Sequence, residues 1–456
     1  MTQRIEITNF GPIKNLYIEI KPILVLIGQQ ASGKSTVGKL IYFFKSLSSE
    51  FFMSYYGSPN AGIDITQDLI VPIREKFYDF FGSTFHLPDF NIRYYYNDGK
   101  YLTLTLTAQK KINARFSENF FSIDDRKELR IYKNRLRKIK EELENVDTVA
   151  KKIQLDEQHL DFLRKLADKI NSIFNNQQND FLYILAGRSA TVGYSETFES
   201  LLQQNIQKNI EAQGHRAFEA REQTIDETLM LGFMQRVIKM RQLFNNLGNF
   251  DGIIKLANKS LTPKLELASK LVNNVLHGKY NNSNFGERII CKENGGYVYL
   301  KNASSGQQES IRILQDAFLS IYQSNNIFRI VEEPEAHLSP EGQKHTVQLL
   351  VLMLNHSISG QLILTTHSPY VLTSINNLIC AANVGSCNRE LVSKMIPEAL
   401  WIKPDTIAAY MLTDGSALNI IDEELGEVKA ELLDEISNEI NKQYDDLLKI
   451  KYNAQE

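Results

Sequence analysis

Glu332 and Glu333 stand side by side at the end of an apolar run, Ile327-Phe328-Arg329-Ile330-Val331, and Pro334 breaks the chain immediately after them. Neighbouring carboxylates at the end of a buried strand repel each other, and a divalent cation relieves that cost. The pair suits two tasks. Glu332 would hold magnesium, through water, and Glu333 would orient and polarise a water for hydrolysis. A surface acidic turn is the plain alternative, and the apolar run in front of the pair argues against it.

Far upstream lies Gly28-Gln29-Gln30-Ala31-Ser32-Gly33-Lys34-Ser35. Glycines at its two ends let a backbone close around phosphates, so that successive N–H groups point inward. Lys34 would place a point charge on the β- and γ-phosphates, the Ser35 hydroxyl would ligate magnesium, and a helix starting near Thr36 would present its positive end to the anion. A glycine turn with a surface lysine is the alternative. The context favours phosphate: Pro22 to Ile27 is a continuous apolar run, as a buried parallel strand requires, and Val37, Leu40, Ile41 and Phe44 fall on one helical face.

Two further pieces could join such a site. Ala303-Ser304-Ser305-Gly306-Gln307 precedes an amphipathic helix marked by Ile311, Leu314, Phe318 and Ile321. It reads either as an anion-binding helix start or as an ordinary capped one. Thr365-Thr366-His367-Ser368 follows another buried strand, Gln361 to Thr366. There His367 could bond a γ-phosphate or serve a structural purpose.

The elements that must carry these residues can be traced along the chain. Its 456 residues suffice for two or three domains, and a net charge of −3 gives no overall field for nucleic acid. No long apolar run suggests a membrane span, the N-terminus lacks a signal-peptide core, and the 3 cysteines are scattered. A soluble cytoplasmic protein with reduced thiols is the expectation. The start alternates with strand period across a turn at Gly11-Pro12. From Leu129 to Phe174 apolar residues recur three and four apart, with a break at Asp147-Thr148, which predicts an antiparallel coiled-coil hairpin projecting from the body. Its first arm carries Arg126, Lys127, Arg130, Lys133, Arg135, Arg137, Lys138 and Lys140. That stripe, residues 126–140, is a solvated face, a nucleic-acid contact or a docking surface. A strand at Phe181 to Ala186 ends in Gly187-Arg188-Ser189, and residues 197–280 read as mostly helical. Arg288-Ile289-Ile290-Cys291 and Tyr297-Val298-Tyr299-Leu300 are expected to form a hairpin across Asn294-Gly295-Gly296, and residues 425–448 carry a helical stripe.

The order of phosphate loop, long insertion, Ser-Ser-Gly-Gln, Glu-Glu and His resembles the ABC-type ATPase heads, a class that includes the SMC proteins, RecF and the OLD (overcoming-lysogenization-defect) family. Glu333-Pro334-Glu335-Ala336-His337-Leu338 looks like the OLD-like subgroup, as do Asn9-Phe10-Gly11-Pro12-Ile13 and Ala186-Gly187-Arg188-Ser189. The resemblance implies an α/β P-loop NTPase fold: a mixed central sheet with flanking helices, an N-terminal β-subdomain and the inserted hairpin. It implies ATP and Mg2+ as ligands. Residues 28–36 would be Walker A, Glu332 and Glu333 Walker B, and Ser304 to Gln307 the signature. His367 would be the switch histidine, and Arg188 would approach the nucleotide or the dimer seam.

The expected divisions are 1–124 (Walker A lobe), 125–178 (hairpin), 179–285 (Q-loop-like strand and helices), 286–400 (signature, Walker B and switch-histidine lobe) and 401–456 (helical tail). In that class two heads sandwich ATP, which implies a homo-oligomer built on head-to-head dimers. OLD nucleases add a Toprim domain, for which no pattern is evident here. The resemblance therefore points to the ATPase subunits of bacterial anti-phage systems such as Septu and PARIS, which work with a separate nuclease, HNH or Toprim. A RecF- or SMC-like DNA-repair ATPase that binds DNA directly is the alternative.

Overall fold

The computed structural model describes residues 3–57, 65–144, 149–178, 180–193, 225–291, 295–422, 424–429 and 442. Two sheets organise the molecule. The first is antiparallel, ordered β2-β1-β4-β5-β6, with β1 Gln3–Phe10, β2 Ile13–Ile20, β4 Asn91–Tyr95, β5 Tyr101–Leu106 and β6 Ile112–Phe116. Its strands alternate because only one face is covered: Ile5, Ile7, Leu16, Ile18, Ile92, Leu102 and Leu104 all enter one core.

The second sheet is ordered β14-β13-β3-β12-β11-β7, and all its pairings are parallel except that of β13 with β14. Here β3 is Ile23–Gly28, β7 Asp180–Ile184, β11 Ile327–Glu332, β12 Gln361–Thr366, β13 Ile407–Thr413 and β14 Ser416–Asn419. The sheet divides two cores, which explains the unbroken apolar runs. Ile23 and Val25 of β3 face one core and Leu24 and Leu26 the other; Val331 and Ile330 of β11 divide likewise. Arg329 interrupts that run, and its burial is compensated. It donates to Asp316 Oδ2 at 2.6 Å, and Asp316 also accepts from Arg236.

Helices flank the central sheet: α1 Lys34–Gly57, α2 Ile65–Phe81, α3 Ile123–Glu144, α4 Val149–Ile173, α5 Ala190–Gly193, α6 Ile225–Asn246, α7 Asn249–Leu256, α8 Thr262–Leu276, α9 Ser305–Gln323, α10 Pro340–His356, α11 Pro369–Gly385 and α12 Arg389–Met395. A three-stranded antiparallel sheet, β10-β9-β8, leads into α9; it comprises β8 Gly278–Ser283, β9 Gly286–Cys291 and β10 Tyr297–Tyr299. Among the described residues no helix is long and apolar enough to cross a membrane.

Helices α3 and α4 pack on each other around Leu136, Ile139 and Phe162. Tyr132 meets Phe162, and Lys169 reaches Asp125 at 2.8 Å, so the two run antiparallel. The pair is anchored along α1 rather than projecting freely from its base: the Tyr55 hydroxyl donates to the Leu129 carbonyl, and Tyr56 packs against the Leu136, Ile139 and Phe162 cluster and stacks on His159. The expected break at Asp147-Thr148, the helical reading of 197–224, Asn294 of the hairpin turn, and the stripe beyond Lys429 lie outside the described residues. The expectation of a helical tail over 401–456 fails where the chain is described. Residues 407–419 are two strands that extend the central sheet, because Ile407, Ala409 and Leu412 bury against β3.

Candidate nucleotide site

Parallel strands β3, β12 and β11 end side by side, and their C-terminal ends deliver the phosphate loop, His367 and the two glutamates to one place. The loop between β3 and α1 is shaped by three left-handed or extreme backbone angles: Gly28 at φ 157, Ala31 at φ 61 and Gly33 at φ 100. A Cβ on Gly28 would stand 2.4 Å from the Leu412 carbonyl oxygen, and one on Gly33 would meet Pro12 and Ile13 at 3.2 Å each. The glycines are therefore required by close neighbours as well as by the turn.

Lys34 opens α1 and is 6% exposed. Its ammonium donates to the carbonyls of Gly28 (2.9 Å) and Gln29 (2.8 Å) and lies 3.5 Å from His367 Nδ1. Burial lowers its pKa, and the charges of Glu333, Glu335 and Glu332 work against that shift. Ser35 is exposed at the helix start and Thr36 is half-buried, while the Ser32 hydroxyl is buried with no hydrogen-bond partner. A buried donor inside a glycine-lined loop suits a phosphate oxygen.

The two glutamates have different surroundings. Glu332 is 6% exposed; its Oε1 accepts from the Tyr183 hydroxyl at 2.7 Å and its Oε2 from the Ala186 N–H at 3.2 Å. Each oxygen retains a lone pair for a magnesium-bound water, and the exposed Ser35 hydroxyl is the other group that would ligate the ion. Glu333 is half-buried and its Oε1 lies 3.3 Å from His367 Nε2. Its backbone is left-handed, at φ 42. The imidazole thus sits between the loop lysine and the carboxylate proposed to act on water.

Glu335 belongs to the site and was not among the residues the sequence singled out. Its Oε1 accepts from the Thr366 hydroxyl (2.7 Å) and the His367 N–H (2.8 Å), fixing the segment that carries the imidazole. Its spacing, two residues after Glu333, is the signal that could have found it. Tyr183 was missed as well, since nothing in Phe181-Leu182-Tyr183-Ile184 distinguishes a carboxylate partner from a core tyrosine.

Arg188 departs from expectation. It is 0% exposed and contacts protein carbonyls, not a nucleotide face. It donates to Glu309 O (2.8 Å), Leu185 O (3.0 Å), Glu332 O (2.8 Å) and Glu333 O (2.8 Å). Ser304 to Gln307 forms the capped helix start that was one of its two readings. Ser304 caps α9 in a capping box with Gln307, whose side-chain amide also donates to Leu276 O at 2.6 Å. Gly306 is pressed against the turn after the glutamates, where a Cβ would lie 2.5 Å from His337 O. Ser304 and Ser305 are exposed.

The AAA ATPase domain family matches residues 1–372. No curated protein gives a significant match. Among solved structures, the SMC head domain from Thermotoga maritima is 11% identical, covering 92% of this chain and 98% of that one at a TM-score of 0.35. An SMC head bound to the C-winged helix domain of ScpA is 12% identical, covering 92% and 96% at 0.39. The recombination mediator RecF is 11% identical, covering 92% and 98% at 0.32. The central sheet is mixed and flanked by helices, and the chain belongs to the AAA ATPase domain family.

Proposed function

We propose that the chain is an ATP-switched subunit of an OLD-like anti-phage complex in the cytoplasm. Two copies pair head to head, each lending its Ser304–Gly306 loop to ATP held by the other, and the paired state restrains or positions a separate HNH or Toprim nuclease. The observation that carries the pairing is the orientation of that loop. Ser304 and Ser305 are exposed, and the loop's own ties run to Leu276 and His337, so within one chain it has solvent where a site would need phosphate. The nuclease partner, Septu- or PARIS-like, rests on the Glu-Glu-Pro-Glu-Ala-His-Leu resemblance.

The chain's residues divide the work. Main-chain N–H groups of 28–35 and the Lys34 ammonium bind and orient the phosphates. Ser35 and Glu332 hold Mg2+, which neutralises phosphate charge when bound. Glu333 accepts a proton from water while His367, 3.3 Å away, steadies its carboxylate. Complementation between variants tests the pairing. Lys34→Ala and Ser304→Arg should each be inactive alone, whereas a mixture should recover ATP hydrolysis, because one composite site per mixed pair is intact. No recovery on mixing would rule out a shared site. Failure of the protein to co-elute with the product of a neighbouring nuclease gene would remove the defence role.

Direct binding to duplex DNA is the second reading, favoured by the exposed Arg126, Lys127, Arg130, Arg135, Arg137 and Lys138 of α3.

A further inference from the structure

The left-handed backbone of Glu333 needs an explanation. A non-glycine residue stays in that region only where its surroundings over-determine it. Three hydrogen bonds do so here: the Glu333 N–H donates to Thr365 O at 2.8 Å, and the Glu333 carbonyl accepts from the Ala336 N–H at 3.0 Å and from Arg188 Nη2 at 2.8 Å. The first continues the β11–β12 ladder past its C-terminal end and the second closes the local turn. The third comes from a residue that also grips α9.

That grip has several points. Arg188 Nε donates to Glu309 O at 2.8 Å and lies 3.7 Å from Glu309 Oε2, while Glu309 Oε1 accepts the Ser189 N–H at 3.1 Å. Glu309 sits in the opening turns of α9, whose Ser304 cap and Ser305 are exposed and whose Gly306 abuts His337. One planar guanidinium thus joins the start of the signature helix to the carbonyls of both Glu332 and Glu333. A lysine could not replace it, since a single ammonium cannot present a rigid fork to carbonyls on two sides.

We propose that Arg188 is a positioning residue that transmits the placement of α9 to the Glu333 carboxylate, so that engagement of the exposed Ser304–Ser305 end sets the geometry of hydrolysis in the same chain. This rests on the reading that Glu333 acts on water. The element being biased is the Glu333 turn, which leaves its left-handed conformation when α9 shifts and the Arg188 bond to its carbonyl is lost.

Three variants of the full chain test it: Arg188→Lys, Glu309→Gln and the double variant. Each is assayed for steady-state ATP turnover, for KM and for affinity toward a fluorescent ATP analogue. Arg188→Lys should lower kcat by about 10- to 100-fold, since small misplacement of a catalytic group has that cost. KM and analogue affinity should stay within about twofold, because the loss falls on the transition state alone. Glu309→Gln keeps the shape and the bond to Ser189 while removing the charge, and should lower kcat by about three- to tenfold. The double variant should be no slower than Arg188→Lys alone, as expected of residues acting through one another. Turnover unchanged in both single variants, or affinity falling in step with kcat, overturns the proposal. If Arg188→Lys does not fold, Glu309→Gln decides by the same criteria. The underlying reading fails separately, by wild-type turnover in Glu333→Gln.

Discussion

Two buried lysines of α1 show how differently one helix can treat the same charge. Lys34, at its start, has Glu332, Glu333 and Glu335 around it, and their charges oppose the effect of burial. Lys45, further along, is 1% exposed; among the described residues it donates to two amide oxygens, Asn176 Oδ1 and Gln178 Oε1, at 3.4 Å each, and lies 5.4 Å from the Phe328 ring. Burial pushes the Lys45 ammonium down to about 7. Burial of a cation therefore does not mark a site. The carboxylates and carbonyls that converge on Lys34, and the loop that bends to meet it, do.

The contrast can be broken most forcefully at Glu333. Glu333→Gln should reduce ATP turnover by about 1,000-fold, within the range for loss of a general base, while ATP still binds and the paired form accumulates. Turnover at the wild-type rate would remove the carboxylate from the chemistry. Lys34→Ala comes next. It removes a charged hydrogen-bond donor to phosphate and should weaken ATP binding about 100-fold in a titration with fluorescent nucleotide. Lys45→Met should leave that titration unchanged; weakened binding there would end the distinction between the two lysines.

A smaller effect sharpens the comparison through pH. Unfolded, Lys45 keeps its proton up to about pH 10; folded, it does so only to about 7. Below pH 7 both states are charged, and the full cost of a buried cation is present. Between about pH 7 and 10 the folded state gives up the proton, so stability rises with pH by a few kcal/mol at most. Thermal midpoints measured from pH 6 to 9 should climb in the wild type relative to Lys45→Met, and parallel curves would count against the assignment. The smallest effect belongs to exposed cations. Arg130→Glu with Arg137→Glu should change stability by about 0.5 kcal/mol or less. Arg137 has Glu141 as a partner only at 3.8 Å and in solvent. The same pair of changes abolishes salt-dependent DNA binding if the second functional reading holds.

What the sequence made legible follows from where each residue finds its partners. Gly28 to Ser35, Glu332-Glu333 and His367 could be read because their chemistry lies in local runs, each at the end of an apolar strand. The strands β3, β11 and β12 were clear for the same reason. Arg188 was misread because its partners are main-chain carbonyls of Glu309, Glu332 and Glu333, which any residue type supplies. The strands at 407–419 were missed because Ile407-Ala408-Ala409 is short and weakly patterned; what makes it a strand is the bare edge of β3. The sheet at 91–116 had a readable signal, the alternation of Ile92 with Tyr94 and of Leu102 with Leu104 about a turn at Asn97-Asp98-Gly99, but no chemistry drew attention to it.

The position of β3 has a consequence for biosynthesis. Both of its sheet neighbours, β12 and β13, come from the last quarter of the chain, and the Leu412 carbonyl, which stands where a Cβ on Gly28 would be, closes one side of the loop only once that residue is made. At ribosomal rates of about 5–20 residues per second, the phosphate loop leaves the exit tunnel roughly 20 to 80 seconds before its walls are made. During that interval an apolar strand with two open edges is exposed to other chains, the situation in which chaperones are needed. Truncation just after the family match at residue 372 would make the interval permanent, leaving every motif present and β3 bare along one side.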